Sequence, residues 1–365
     1  MNITSIELYR YSIPMVPFTI ATGTMHFAQN LFIRIHTSEN ITGVGECSAF
    51  PMIAGETQAT CYEMAKDFAA IWKDKPALAI SDRLAELDLF TAGNFTAKSA
   101  FDLALHDIAA KQAGKPLYAY LGGRQKTIES DLTIGISSPA QMADTAADFV
   151  TRGVGMIKVK LGKHVQEDIE RMQLIRQRVG PDIVLRIDAN QGWSYEDAVL
   201  ALTAMGPLNI QFCEQPMRKW NDHLLPELCR LSPIPVMADE SVFTHHDAER
   251  IIRTGACHYI NIKFAKSGGI QEATHINRVA EQNNIPCMLG GMLESRIALS
   301  AKVHFAMAHD NIRFYDLDTC LLGHKVDPVQ GGVRYQGMRL LLDESPGIGA
   351  DVDPEYLASL EQTVI

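Results

Sequence analysis

Several things the sequence does not contain narrow its class before any motif is read. No apolar run is long enough to span a bilayer, which argues against a membrane-embedded chain. There is no basic block: 43 acidic residues outweigh 33 basic ones, and the net charge of -10 makes nucleic acid a poor partner. No two of the seven cysteines form a CxxC pair and their number is odd. That excludes a disulfide framework or a zinc knuckle as the expectation and points to a reducing compartment. The first residues, "MNITSIELYRYSIPM", carry no basic stretch followed by an apolar one, so no signal peptide is expected. The Gly-rich first turn of a dinucleotide fold is missing too, as are low-complexity segments and disordered linkers. The expectation is a soluble, cytoplasmic protein whose 365 residues, 47% of them hydrophobic, build a large core in two domains.

From about residue 129 short apolar runs alternate with longer amphipathic ones. The short runs are "DLTIGI", "GMIKVKL", "IVLRIDAN", "IQFCEQP", "IPVMADES", "YINIKFAKSGG", "IPCMLGGMLES" and "IRFYDLD". Their ends are marked by Lys160, Asp188, Glu214, Asp239, Lys266, Gly291 and Asp316, at steps of 28, 26, 25, 27, 25 and 25 residues. Eight units at this pitch predict a closed parallel βα barrel, with an open doubly wound sheet as the alternative. The first 125 residues differ. "SIELYRYSIP", "QNLFIRIHTS" and "ITGVGECSAF" read as antiparallel strands, followed by a helical block. In "AKSAFDLALHDIAAKQAG", Phe101, Leu105 and Ile108 form one apolar stripe and Gly114 ends the helix. The expected division is an α+β unit over 1–125, a barrel over 126–322, and a tail over 323–365 that returns to the first unit.

Charged residues recur at the strand ends, where a barrel carries its functional side chains. Lys158 and Lys160 alternate in one strand and so share a face. Asp188 and Asn190, Glu214, Asp239 and Glu240, Lys263 and Lys266, Glu294, then Asp316 and Asp318 follow on successive strands. Solvated surface explains such regularity poorly. Three carboxylates at one barrel mouth, Asp188, Glu214 and Asp239, repel unless something neutralises them. With no His or Cys nearby, oxygen ligands favour a hard dication, Mg²⁺ before Zn²⁺. Lys160 and Lys266 flank the acids in strand order, so their amines should converge from opposite walls. Lys158 beside Lys160 should lower the pKa of that pair, and a neutral lysine can act as a base. A metal ion and a fixed ammonium can stabilise the enediolate formed when the proton alpha to a carboxylate is removed. Bases on two faces can then return the proton from the other side and invert the stereocentre.

"KVK" (158–160), "DAN" (188–190), "EQP" (214–216), "ADES" (238–241), "KSGG" (266–269) and "GGMLES" (290–295) resemble the enolase superfamily, specifically its muconate lactonizing enzyme subgroup. "AFDLALHDIAAKQAGKPLYAYLGG" resembles the segment leading into the barrel, so the likeness covers nearly the whole chain. It implies a (β/α)₇β TIM-like barrel with an α+β capping domain. It also implies Mg²⁺ on Asp188, Glu214 and Asp239, and Lys160 and Lys266 as acid/base pair. Lys158 would support the substrate carboxylate. Asn190, Glu240, Lys263 and Glu294 would support the site, and Gly291 and Met292 would face the substrate. Mandelate racemase-like relatives use a His where this chain has "KSGG", so that subgroup fits badly.

Within the subgroup, "YDLDTC" resembles the ammonium site of dipeptide epimerases, with Asp316 and Asp318 on one face. "TIGI" resembles their first barrel strand, where Thr133 or Ile136 would line the pocket. Relatives acting on Ala-Glu place an Arg in the first capping loop; here "PFTIATGTM" offers Gly23, and no Lys or Arg lies between Arg10 and Arg34. The expected activity is thus Mg²⁺-dependent epimerisation of uncharged, hydrophobic or small dipeptides by a homo-oligomer. o-Succinylbenzoate synthase or a cycloisomerase is the enzyme alternative, and a ligand-binding barrel the alternative outside catalysis.

Overall fold

The computed structural model describes all 365 residues. Its centre is an eight-stranded parallel sheet of Leu132–Ile134, Met156–Lys160, Val184–Asp188, Ile210–Glu214, Val236–Ala238, Tyr259–Ile262, Cys287–Gly290 and Ile312–Asp316, in that spatial order. The first seven strands are each followed by a helix, from Pro139–Thr151 to Arg296–Ala308; the eighth leads only to a short 3-10 turn. This is the (β/α)₇β pattern. The edge strands approach through single bonds rather than a ladder: Asp131 N donates to Tyr315 O (3.2 Å), Leu317 N to Ser130 Oγ (2.8 Å) and Thr133 N to Asp318 Oδ2 (2.7 Å). The barrel is nearly closed, and a side chain expected to bind substrate also bonds across its seam.

The pleat sorts the side chains. Ile157, Val159 and Leu161 are fully buried in the layer beneath the helices. Lys158 and Lys160 point inward, so both faces of this strand are covered. Below them Phe212, Met237 and Met288 form a separate apolar cluster inside the barrel, joined by Tyr259 and Phe314. The Arg186 guanidinium lies 5.2 Å from the Phe212 ring centre and 5.5 Å from that of Phe314. The barrel floor is therefore apolar at its base and charged at its mouth. Helix starts follow local chemistry: Ser138, Ser194 and Thr244 each cap an N-terminus with their hydroxyls.

Ahead of the barrel stand strands Ile3–Ile20, Gly23–Thr37 and Thr42–Ser48, all antiparallel, with Gln362–Val364 of the tail paired on the outer side of the first. The expected loop "PFTIATGTM" is in fact the end of a long hairpin, paired up to Ile20–Gly23. Its tip reaches the barrel, where Ile136 N donates to Thr19 O (2.8 Å). Helix Phe95–Gln112 also departs from expectation. Every residue from Thr96 to Ala110 is buried, not one stripe, because the cap sheet covers one side and the barrel the other. Gly43 and Gly45 make this possible: a Cβ there would meet the helix carbonyls of Ala104 at 2.2 Å and Ala100 at 1.9 Å. The polar groups this buries are satisfied in place. Asp107 accepts from Val44 N, Ile348 N and Lys111 Nζ, tying cap, tail and helix together.

Candidate active site

The ladder sets the floor. Lys160 pairs with Asp188, and Asp188 with Glu214, at one level, with Asp239 just past the next strand. All four are buried, as are Lys158, Lys263 and Lys266. Ammonium groups supply the countercharge directly. Lys160 Nζ lies 2.6 Å from Asp188 Oδ2; Lys158 Nζ lies 2.6 Å from Glu214 Oε2, 2.7 Å from Asp316 Oδ2 and 3.3 Å from Asp188 Oδ2. Lys263 Nζ lies 2.7 Å from Asp239 Oδ2, and Lys266 Nζ 3.1 Å from its Oδ1. Lys266 sits beyond the sixth strand on a single helical turn, Phe264–Ser267, and donates to the carbonyls of Asp239, Val242 and Asn261.

These contacts set the protonation landscape. Burial pulls the Lys158 amine down, but Asp316, Glu214 and Asp188 outweigh it and hold the amine well above the usual lysine range. The expected lowering by its lysine neighbour is thus overturned for Lys158: three carboxylates face it. Lowering occurs instead at Lys266, through burial and through Lys263, against the pull of Asp239. Burial and Asp188 raise Glu214 to about 7 despite Lys158. Asp239 resists burial through Lys263 and Lys266 and stays below the carboxylate range.

The donor set suits a hard dication. Asp188, Glu214 and Asp239 offer oxygens only, and Glu240 beside them has two buried oxygens with neither hydrogen bond nor ion pair. Burial and Asp239 push Glu240 up to about 8. Asn190 donates through its backbone N and Nδ2 to Asp188 and leaves its Oδ1 unpaired. Glu294 accepts from Met292 N (2.7 Å) and pairs with Lys302, which fixes the loop after the seventh strand.

Above the floor lies a narrow cleft. Thr133, Lys160, Asn190, Lys263, Gly291, Met292, Asp316 and Asp318 line it from the barrel, and Phe18, Ile20, Met25, Phe50 and Ile53 from the cap. Ile136 and Lys266 are not among the lining residues. The sequence reading missed Asp131. Its carboxylate lies within 4.8 Å of those of Asp316 and Asp318 and is paired with Arg186 Nη1 at 2.7 Å. It missed Asn261 as well, whose Nδ2 donates to Glu214 Oε1 at 2.7 Å. The signal was there: Asp131, Arg186 and Asn261 each stand two residues before Thr133, Asp188 and Lys263, on the same inward face. Burial and Asp316 push Asp131 up to about 6, against Arg186. Burial pushes Asp316 up, but Lys158, Lys160 and Lys263 together outweigh it and bring Asp316 down to about 2.

Fold and floor together define a barrel enzyme with a capping domain and a carboxylate–lysine mouth. Residues 141–356 match the family model "Enolase C-terminal domain-like", and residues 4–122 match "Mandelate racemase / muconate lactonizing enzyme, N-terminal domain". The chain belongs to this family. It is 42% identical to the D-Ala-D/L-Ala epimerase of Cytophaga hutchinsonii, each covered over 100% of its length. It is 36% identical to the L-Ala-D/L-Glu epimerase of Bacillus subtilis, over 96% of each. Its structure superposes at a TM-score of 0.98 on a dipeptide epimerase of Cytophaga hutchinsonii complexed with Mg and the dipeptide D-Ala-L-Val, at 42% identity and 100% coverage of both chains.

Proposed function

We propose that this protein is a Mg²⁺-dependent dipeptide epimerase that inverts the α-carbon next to the terminal carboxylate of uncharged, hydrophobic or small dipeptides. The observation that carries the proposal is the cleft itself. A lysine–carboxylate floor able to hold a dication meets two further acids, Asp316 and Asp318, at the barrel seam. Apolar side chains cover both. Asp188, Glu214 and Asp239 would hold Mg²⁺, which supplies Lewis-acid neutralisation of the substrate carboxylate.

The chain's own groups do the rest. The Lys158 ammonium, fixed among three carboxylates, gives a permanent positive charge beside the enediolate. Lys160 takes the α-proton from one face and Lys266 returns one from the other. For this Lys266 exchanges its carbonyl partners for the substrate. Asp316 and Asp318 receive the ammonium, Asp318 with the oxygen not committed to Thr133 N. The second side chain lies against Phe18, Ile20, Met25 and Ile53. Relatives named for Ala-Ala and Ala-Glu epimerisation bracket the chemistry, and the absence of a cation among the cap residues that line the cleft favours the former. The same proposal places the enzyme in the cytoplasm as a homo-oligomer; light scattering tests the assembly. No helix is long and apolar enough to cross a membrane.

The test is a dipeptide library in D₂O read by mass spectrometry. Mg²⁺-dependent uptake of one deuteron, with inversion, is the expected result. Formation of o-succinylbenzoate from its precursor, with no dipeptide exchanging, would overturn it.

A further inference from the structure

Outside the cleft, one cluster of metal-ligating side chains is unused by the chemistry above. His245 begins the helix His245–Arg253, and Glu272 and His275 lie one turn apart on the next helix, Ile270–Gln282. Ligand atoms of all three lie within 4.8 Å of one another. His245 Nδ1 stands 2.7 Å from Glu272 Oε1, and His275 Nδ1 stands 3.4 Å from Oε2 of the same carboxylate. All three are partly buried, with side chains 29%, 22% and 40% exposed, so a dication and a water can reach them.

We propose that these residues form a second metal site, for a borderline transition-metal dication of the Zn²⁺ type. Helix capping explains only part of the arrangement. Glu272 Oε1 accepts from the His245 backbone N at 2.6 Å, which is a sufficient reason for Glu272 to face His245. It gives no reason for His275 to bring a second imidazole to the other oxygen. Donor chemistry does: two imidazole nitrogens and one carboxylate oxygen form a common Zn²⁺ set, with the fourth position left to water. The dimensions agree. At a metal–ligand distance of about 2.05 Å, tetrahedral ligands stand about 3.3 Å apart. The His275 Nδ1–Glu272 Oε2 separation of 3.4 Å is already there, and His245 Nδ1, now 2.7 Å from Oε1, has to turn from that oxygen toward the metal on the Oε2 side. Glu272 Oε2 then ligates, while Oε1 keeps its bond to the His245 amide and fixes the carboxylate's direction.

The oxygen set at the barrel mouth and this nitrogen-rich set select different ions, so the two sites fill independently. A metal here clips together the first turns of two successive outer helices. Between those helices the chain passes through the turn Phe264–Ser267 that carries Lys266. Ser267 and Gly268 share a surface cleft with His245 and Glu272. The predicted role is structural: Zn²⁺ steadies the outer wall behind a catalytic lysine.

The test uses full-length protein stripped with chelator and then saturated with Mg²⁺. Calorimetric titration with Zn²⁺ is expected to show one equivalent bound, and Co²⁺ to give the intense visible absorption of four-coordinate geometry. His275→Gln and Glu272→Gln should each weaken binding by about 10–100-fold. Both should leave Mg²⁺-dependent α-proton exchange unchanged, and the Gln carbonyl preserves the helix cap. Zn²⁺ should raise the Tm of the wild type but not of His275→Gln. Absence of Zn²⁺ uptake by the wild type, or uptake and a Co²⁺ spectrum that both variants keep, would overturn the proposal.

Discussion

The floor and the roof of the cleft are built by different rules. Most floor residues stand at strand ends locked in parallel register, and every charged group there except Glu240 is fixed by at least one partner within about 3 Å, as Lys160 is by Asp188 and Lys263 by Asp239. The roof is a hairpin tip and a four-residue helix, Pro51–Ala54, with apolar side chains and few bonds to the barrel. A substitution in the floor changes the charge balance of several neighbours at once. One in the roof changes only the surface the substrate's side chain meets. Chemistry should therefore be brittle and specificity plastic.

The floor breaks first at Asp239. Asp239→Asn is expected to abolish turnover and its Mg²⁺ dependence, by more than about 10⁴-fold, because a dication ligand and the counterion of two lysines go together. Full activity in the presence of chelator would refute the metal reading. Lys160→Ala and Lys266→Ala come next, each expected to cost about 10²–10⁴-fold in epimerisation. These two sharpen the comparison, since each variant should still exchange the α-proton of one epimer through the remaining lysine. NMR of each pure epimer in D₂O reads this, and normal inversion by either variant would rule out two bases.

How much of this was legible in the sequence follows the same division. The floor was readable because parallel strands put function at a fixed interval and on a fixed face, so Lys160, Asp188, Glu214 and Asp239 could be found by counting. Lys266 was found too, but not its place on a helical turn beyond its strand. Arg186 and Asp131 are harder to see because they lie two residues before the strand ends, on the same face but away from the mouth. The pKa of Lys158 is not legible for a physical reason: its neighbour Lys160 is close in sequence, whereas Asp316, which faces it, is 158 positions away. The sequence of helix Phe95–Gln112 shows one apolar stripe and not two covered sides, because its second cover, the barrel, is a tertiary fact. In the roof, composition showed the missing cation, but not that "PFTIATGTM" is paired strand.

The seam between floor and roof gives a smaller effect. Burial, Asp316 and Asp131 push Asp318 well above the usual carboxylate range, so it is the substrate ammonium that draws out its charge. Asp318→Asn removes that carboxyl group, and a charged hydrogen bond of about 1.5–3 kcal/mol corresponds to about 10–100-fold in kcat/KM. Asn keeps an oxygen for Thr133 N, so the barrel seam should survive. N-Acetylated dipeptides should be poor substrates of the wild type and no poorer with Asp318→Asn. A further loss with the acetylated substrate would mean that Asp318 serves the seam and not the ammonium.

The roof should yield the smallest change and the most informative one. Ala-Leu sets its side chain on Phe18, Ile20, Met25 and Ile53, whereas the side-chain carboxylate of Ala-Glu meets no cation there. Full burial of that carboxylate without a partner would cost several kcal/mol. The cleft is open at its mouth, so water keeps the group partly hydrated and only a fraction of the cost is felt. A preference of about tenfold for Ala-Leu in kcat/KM, or about 1.4 kcal/mol, is expected. Gly23→Arg should reverse it by placing a guanidinium at the hairpin tip. A Cβ at Gly23 meets Met52 Sδ at 3.0 Å, so the arginine enters only if that flexible thioether swings aside. Gly23→Arg with Met52→Ala removes the side-chain obstacle, leaving only the backbone strain of a φ of 157° at this position, and should raise Ala-Glu turnover further, while Ala-Leu falls. The comparison is decided by both substrates on both variants. If wild type already prefers Ala-Glu, the roof discriminates by something other than its missing cation. If Gly23→Arg lowers both substrates equally, the arginine has only disturbed the hairpin, and the second side chain lies elsewhere in the cleft.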